Sequence, residues 1–228
     1  MSAIRPAATV VLLRESGAGL EVLLLRRNDA VQFAGGLWVF PGGAIDAADF
    51  RADGGGDAAD DIMATAQRAA IREAREETGL DISASRLQFF AHWTTPEAQV
   101  KRYATWFFAA ALPDGNGEVV VDGSEIVAHR WIDPRQAIAQ HRARQLDMMP
   151  PTFVTLTELA TCRSLPEVEA MYAARPVLEI LPKFVKAENG TVALYPRDGG
   201  YAVGDARAGD LRHRCFRADD GWHYECDI

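Results

Sequence analysis

The chain has 228 residues, 48% of them hydrophobic and 25% charged, enough apolar material for a real core and against disorder as the default. Its net charge of −8, with no stripe of Lys or Arg, argues against bulk nucleic acid as a partner, and any polyphosphate ligand would need a cation or a local basic patch. Cys162, Cys215 and Cys226 are an odd number without C-x-x-C spacing, so neither a disulfide framework nor a zinc site is expected and a reducing cytoplasm fits best. The apolar run Ala7 to Leu13 is too short for a membrane span and lacks the flanks of a signal peptide.

In chain order, Ala7–Leu13 and Glu21–Leu25 read as strands joined by the turn-forming Glu15-Ser16-Gly17-Ala18-Gly19. Leu37-Trp38-Val39-Phe40 is a short strand that must stop and turn at Pro41-Gly42-Gly43. Residues Asp49 to Asp61, with three consecutive glycines, predict an exposed, mobile loop, after which Asp60 or Asp61 caps a helix over Ile62–Thr78 that Gly79 ends. Leu87–Trp93 and Arg102–Leu112 are aromatic and β-branched strands, the second followed by a turn at Pro113–Gly117. Val119–Val121 and Ile126–Ile132 are expected to be shorter strands. Asp133-Pro134 caps a helix over Arg135–His141, Pro151 opens another through Ala160, and Ser164-Leu165-Pro166-Glu167 is a capping box for a third through Ala174. From Leu178 the pattern shifts to short runs, Thr191–Tyr195 and Arg212–Phe216, read as a small β-rich appendage. The class is α+β.

The chemistry sits in Arg72-Glu73-Ala74-Arg75-Glu76-Glu77-Thr78-Gly79-Leu80. On a helix, Glu73, Glu76 and Glu77 share one arc, a crowding of like charge that a hard divalent cation or a neighbouring Arg must offset. Arg72 stands four residues before Glu76, so plain helical ion pairing competes with metal binding. Context favours metal: a Pro-Gly-Gly turn, then a capped helix, then a Gly stop.

The run Arg72 to Leu80 resembles the second half of the Nudix box, R-E-U-x-E-E-x-G-U, and Gly43 resembles the Gly that opens it. The box is split, with 28 residues between Gly43 and Arg72, roughly fifteen more than the pattern provides. Its additional Glu has no clear counterpart: Asp49 stands at that spacing from Gly43 and Ala64 at that spacing from Arg72, so Asp49 receives no role.

The resemblance implies a Nudix-type mixed sheet between helices over residues 1–147, carrying the loop of about 49–61, with a helical and β-rich extension over 148–228 packed on it. It implies that Glu73 and Glu77 bind Mg²⁺, with Mn²⁺ as a substitute, that Glu76 binds metal or activates water, that the Gly43 carbonyl completes the coordination, and that Arg72 orients the carboxylates. Glu125 is a candidate extra ligand, or an ordinary exposed turn carboxylate. Arg26, Arg27, Lys101 and Arg102 either grip phosphates or are solvated strand ends, and Trp38, Trp93, Trp106 and Phe108 either stack on a base or pack the core.

The lengthened box and Val22-Leu23-Leu24-Leu25-Arg26-Arg27 look like the coenzyme A diphosphatase branch, so the expected activity is hydrolysis of a phosphoanhydride in a small nucleotide, with coenzyme A or an acyl-coenzyme A first. Diphosphatases for ADP-ribose, NADH or dinucleoside polyphosphates, and a non-catalytic nucleotide sensor, are the alternatives. No membrane partner is implied, and a homodimer is left open.

Overall fold

The computed structural model describes residues 3–31, 33–50, 61–112, 118–187 and 190–227. β1 (Ile4–Ser16) and β2 (Gly19–Arg27) form the hairpin that the glycine-bearing turn between them requires, with Leu13 opposite Val22 and Ser16 opposite Gly19. β3 (Trp38–Val39) pairs with β2, and β4 (Gly42–Ala44) folds back along β1. β5 (Gln88–Thr94) and β6 (Arg102–Ala111) are antiparallel, and β6 lies parallel to β1 from Ile4 opposite Arg102 to Leu13 opposite Ala111. β7 (Ile126–Ile132) pairs with β2, so the mixed sheet runs β3-β2-β1-β6-β5-β8, with β8 at Leu178–Ile180 and with β4 and β7 alongside.

The unbroken apolar run of β1 follows from burial on both faces. Ala8, Val10 and Leu12 face α1 (Ile62–Thr78), while Val11 and Leu13 face a second core. Asp61 caps α1 by accepting from the Met63 and Ala64 amides, and Gly79 ends it in the left-handed region. Ala66, Ala69, Ala70 and Ala74 are fully buried along one stripe, which brings the helix close to the sheet. The opposite face is covered by α2 (Pro134–Arg142), capped by Asp133, by α3 (Pro150–Leu159) and by α4 (Leu165–Ala173), capped by Ser164. The Glu167 carboxylate accepts from the Arg163 amide, closing the predicted box one residue upstream of the cap.

Three expectations need correction. Val119–Val121 form no strand: Val119 and Val121 pack their side chains against the α1-side core, while the Val120 amide donates to the Thr78 carbonyl beyond the helix end. The C-terminal segment does not all belong to the appendage, because β8 (Leu178–Ile180) joins the main sheet parallel to β5. Asp49 is no loop residue facing water but is 5% exposed. The remainder of the expected loop, 51–60, and the turn at Pro113–Gly117 lie outside the described residues.

A second, four-stranded antiparallel sheet comprises β9 (Lys183–Ala187), β10 (Gly190–Leu194), β11 (His213–Ala218) and β12 (Gly221–Cys226), in the order β12-β11-β10-β9. It is tied to the helical face through Trp222, whose amide donates to His141 Nε2 and whose indole donates to the Met148 carbonyl at 2.8 Å. Among the described residues no helix is long and apolar enough to cross a membrane.

Candidate active site

The β1–β4 pairing sets Gly43 opposite Ala8 and brings the backbone of β4 against the last turns of α1. The approach is so close that a Cβ on Gly43 would lie 2.5 Å from the Glu73 carboxyl carbon, which gives a steric reason for glycine there. The Gly42 amide donates to Glu77 Oε2 at 2.9 Å. Glu73 and Glu77, one helical turn apart, thus both lie against the turn that the sequence placed 30 residues upstream of the first of them.

Burial governs the electrostatics. Glu77 is 7% exposed, and its carboxyl is pushed up to about 8, by burial foremost and then by Glu73 and Glu125, against the Gly42 hydrogen bond and the Arg27 charge. Burial also raises the Glu73 carboxyl, with Glu76 and Glu125 adding to it and Arg72 opposing. Glu76 is largely exposed.

Arg72 is the organiser of this group. Its Nη1 donates to Glu73 Oε1 at 2.9 Å and to Glu76 Oε2 at 3.0 Å; its Nη2 donates to the Ala44 carbonyl at 3.0 Å. The other edge of the guanidinium forms a fork with Asp49, Nε to Oδ1 at 3.1 Å and Nη2 to Oδ2 at 2.9 Å. Burial alone would raise the Asp49 carboxyl, but the Arg72 hydrogen bonds and the Asp46 amide hold it below the ordinary range. Arg68 donates to the Asp49 carbonyl at 2.6 Å, anchoring the same turn to α1. Asp49, given no role from the sequence, is therefore the buried partner that aims Arg72. Its spacing from Gly43 was the available signal.

The remaining candidates separate. Glu125 stands in the turn before β7 with its side chain about half exposed; it forms an ion pair with Arg27 where β7 meets β2, and both act electrostatically on Glu77. Arg26 instead pairs with Asp29. Arg102 lies away from the carboxylates, opposite Ile4, and it is 7% exposed, which excludes the solvated strand-end reading. Trp38 and Trp93 belong to the core on the opposite face and Phe108 is fully buried on the α1 side, so these three pack rather than stack on a ligand. Trp106 contacts His92, whose Nδ1 is paired with Glu179. Met148, beside Trp38, is in the same opposite-face core.

Glu73, Glu76, Glu77, Glu125 and Asp49 outnumber Arg72 and Arg27, leaving a local excess of negative charge around oxygen donors. Among the described residues no three acidic, His or Cys side chains come together in an arrangement that could by itself hold a metal ion. Magnesium does not need one, since it binds one or two carboxylates and completes its shell with water and phosphate oxygens. Hard oxygen donors on Glu73 and Glu77, with acidic neighbours that outnumber the cations, fit that ion.

The NUDIX domain family model matches residues 3–151. An acyl-coenzyme A diphosphatase of Gallus gallus is 28% identical over 122 residues, which are 50% of this chain and 32% of that protein, so the match spans about a third of the relative's length. A Bacillus subtilis (strain 168) protein whose name proposes 8-oxo-dGTP diphosphatase activity is 27% identical over 143 residues, 61% of this chain and 76% of that one. The crystal structure of a NUDIX hydrolase from Alicyclobacillus acidocaldarius superposes with a TM-score of 0.65 at 23% identity, covering 77% of this chain and 100% of that one, a likeness of fold.

Proposed function

We propose that this chain, which belongs to the Nudix hydrolase family, cleaves the phosphoanhydride of a nucleoside diphosphate derivative, with coenzyme A or an acyl-coenzyme A as the substrate class. The observation that carries the reading is the Glu73–Glu77 pair, set against Gly42-Gly43 with both carboxyls raised by burial although Arg72 pairs with Glu73 and the Arg27 charge acts on Glu77. The coenzyme A assignment is supported by the similarity to the Gallus gallus diphosphatase and by the split box.

In this reading Glu73, Glu77 and the Gly43 carbonyl would hold Mg²⁺, or Mn²⁺ in its place, with Glu125 as a further ligand. When bound there, the ion would supply charge stabilisation to the phosphates and activate water for attack. The chain's own residues do the rest. Arg72 holds Glu73 and Glu76 at fixed separation through Nη1, and Asp49 fixes Arg72. Glu76 engages Oε2 with Arg72, and Oε1 orients the attacking water or takes its proton. Arg27, paired with Glu125 and acting electrostatically on Glu77, exchanges its Glu125 partner for a substrate phosphate.

The test is a panel of coenzyme A, acetyl-coenzyme A, ADP-ribose, NADH, a dinucleoside polyphosphate and 8-oxo-dGTP with Mg²⁺, products separated by chromatography. Coenzyme A should be split into two phosphorylated halves faster than the other classes. Preference for a substrate without a pantetheine arm would overturn the substrate assignment, and no turnover of any member would overturn the enzymatic one.

A further inference from the structure

The parallel pairing of β1 and β6 places Arg5 opposite Tyr103 and Ile4 opposite Arg102. At this end of the sheet lies a pocket of about 200 Å³ lined by Ala3, Arg5, Val100, Lys101, Arg102 and Tyr103. Three of its six lining residues are cations and none is acidic, in a chain of net charge −8. Arg102 is 7% exposed, and its Nε donates to the Thr95 carbonyl at 3.1 Å. Among the described residues no ion pair joins Arg5 or Arg102 to a carboxylate. A guanidinium so buried without a counter-charge, beside a second Arg and a Lys, is arranged for an anion that comes with the ligand.

A chain of contacts leads from the pocket to the Arg27–Glu125 pair. Tyr103 packs on Phe33, ring centroids 5.5 Å apart, and Phe33 is 39% exposed. The Phe33 carbonyl accepts from Arg27 Nε, whose guanidinium also pairs with Glu125. Arg5 lies three residues along β1 from Ala8, the partner of Gly43, a separation of roughly 10 Å at the rise of an extended strand. That distance suits one nucleoside unit.

We propose that the Arg5–Lys101–Arg102 pocket binds a phosphomonoester carried on the sugar of the same nucleotide whose diphosphate lies at Glu73 and Glu77, with the Phe33–Tyr103 pair flanking the nucleoside between them. This rests on the hydrolase reading and deepens it, because it selects nucleotides bearing a phosphate beyond the diphosphate. Guanidinium forks match phosphate oxygens pairwise, and a dianionic monoester gains more from three cations than a neutral ribose hydroxyl does.

Coenzyme A and 3′-dephospho-coenzyme A differ by that one phosphate. The parent should show a KM for coenzyme A about tenfold below that for the dephospho form, at similar kcat, from charge-assisted contacts worth a factor of that order. Arg5→Ala and Arg102→Met should each narrow the KM ratio to about twofold while kcat for coenzyme A holds. Equal KM values in the parent, or variants that leave the ratio intact, would overturn the pocket. If neither substrate turns over, the hydrolase reading fails separately, and binding in chelator decides the pocket. Adenosine 3′,5′-bisphosphate should bind about tenfold tighter than adenosine 5′-monophosphate, and Arg5→Ala should erase the difference. Equal affinities, or inorganic phosphate competing as well as the bisphosphate, would mean an anion site unrelated to a nucleotide and would overturn the proposal.

Discussion

Asp49→Ala isolates the residue that aims Arg72. The substitution removes two hydrogen bonds to the guanidinium, at 3.1 and 2.9 Å, and the one accepted from the Asp46 amide at 2.8 Å. Breaking a fully buried ion pair from one side costs about 3–5 kcal/mol. Here the loss is smaller, because Arg72 is a quarter exposed and keeps Glu73, Glu76 and the Ala44 carbonyl. About 2 kcal/mol is the expected destabilisation by urea unfolding, or roughly 4–8 °C in Tm for a chain of this size. With Asp49 gone, the Arg72 charge is shared chiefly by Glu73 and Glu76 and should compete more strongly with the cation for them, raising the Mg²⁺ concentration needed for half-maximal rate. Asp49→Asn, which keeps the shape and loses the charge, should fall between parent and Ala. Unfolding of Asp49→Ala within about 0.5 kcal/mol of the parent, with unchanged Mg²⁺ dependence, would refute the claim that Asp49 positions Arg72.

Two further outcomes follow from the geometry. Gly43→Ala should displace the Glu73 carboxylate and weaken metal dependence, because its Cβ meets that carboxylate, whereas Gly17→Ala, which meets nothing within 4 Å, should not impair metal dependence; equal effects in Mg²⁺ titrations would contradict the close approach. The Asp198–Arg214 pair, Nε to Oδ2 at 2.7 Å, is buried in the C-terminal sheet; burial would raise the Asp198 carboxyl, but Arg214 and the His213 and Gly200 amides hold it below its unfolded value of about 3.9. Its stabilisation is therefore complete above that value and is lost as pH falls toward the lower folded value, so Asp198→Asn should lower stability at pH 7 and flatten the acid limb of a urea stability curve. An unaltered acid limb would contradict this assignment.

Much of the fold was legible because its signals are local. Asp61 and Gly79 bracket α1, Asp133-Pro134 opens α2, and the apolar run of β1 announces a strand buried on both faces. What stayed hidden depends on partners distant in sequence. Leu178–Ile180 is too short to identify its sheet, which only pairing with β5 defines. Val119–Val121 has strand composition, yet the Val120 amide is taken by the end of α1. In the site, Gly43 and the Arg72–Glu77 run could be read from residue type and spacing. For Asp49 the spacing marked the position but not the role, because its partner lies 23 residues away across the split in the box, and Glu125 comes near enough to act on Glu77 only through the pairing of β7 with β2. Arg102 looked like a solvated strand end because burial is a property of the packed sheet edge rather than of the residue.

The central claim is that the buried carboxylates of α1 bind the metal that phosphoanhydride cleavage requires, and a Mn²⁺ titration of parent and Glu77→Gln, followed by electron paramagnetic resonance at pH 7 and pH 9, tests it most directly. Because the Glu77 carboxyl is raised to about 8, the parent should bind Mn²⁺ more tightly at pH 9 than at pH 7, and Glu77→Gln should bind about tenfold or more weaker at pH 9 with that part of the pH dependence gone. Equal Mn²⁺ affinity in parent and variant at both pH values would contradict the account.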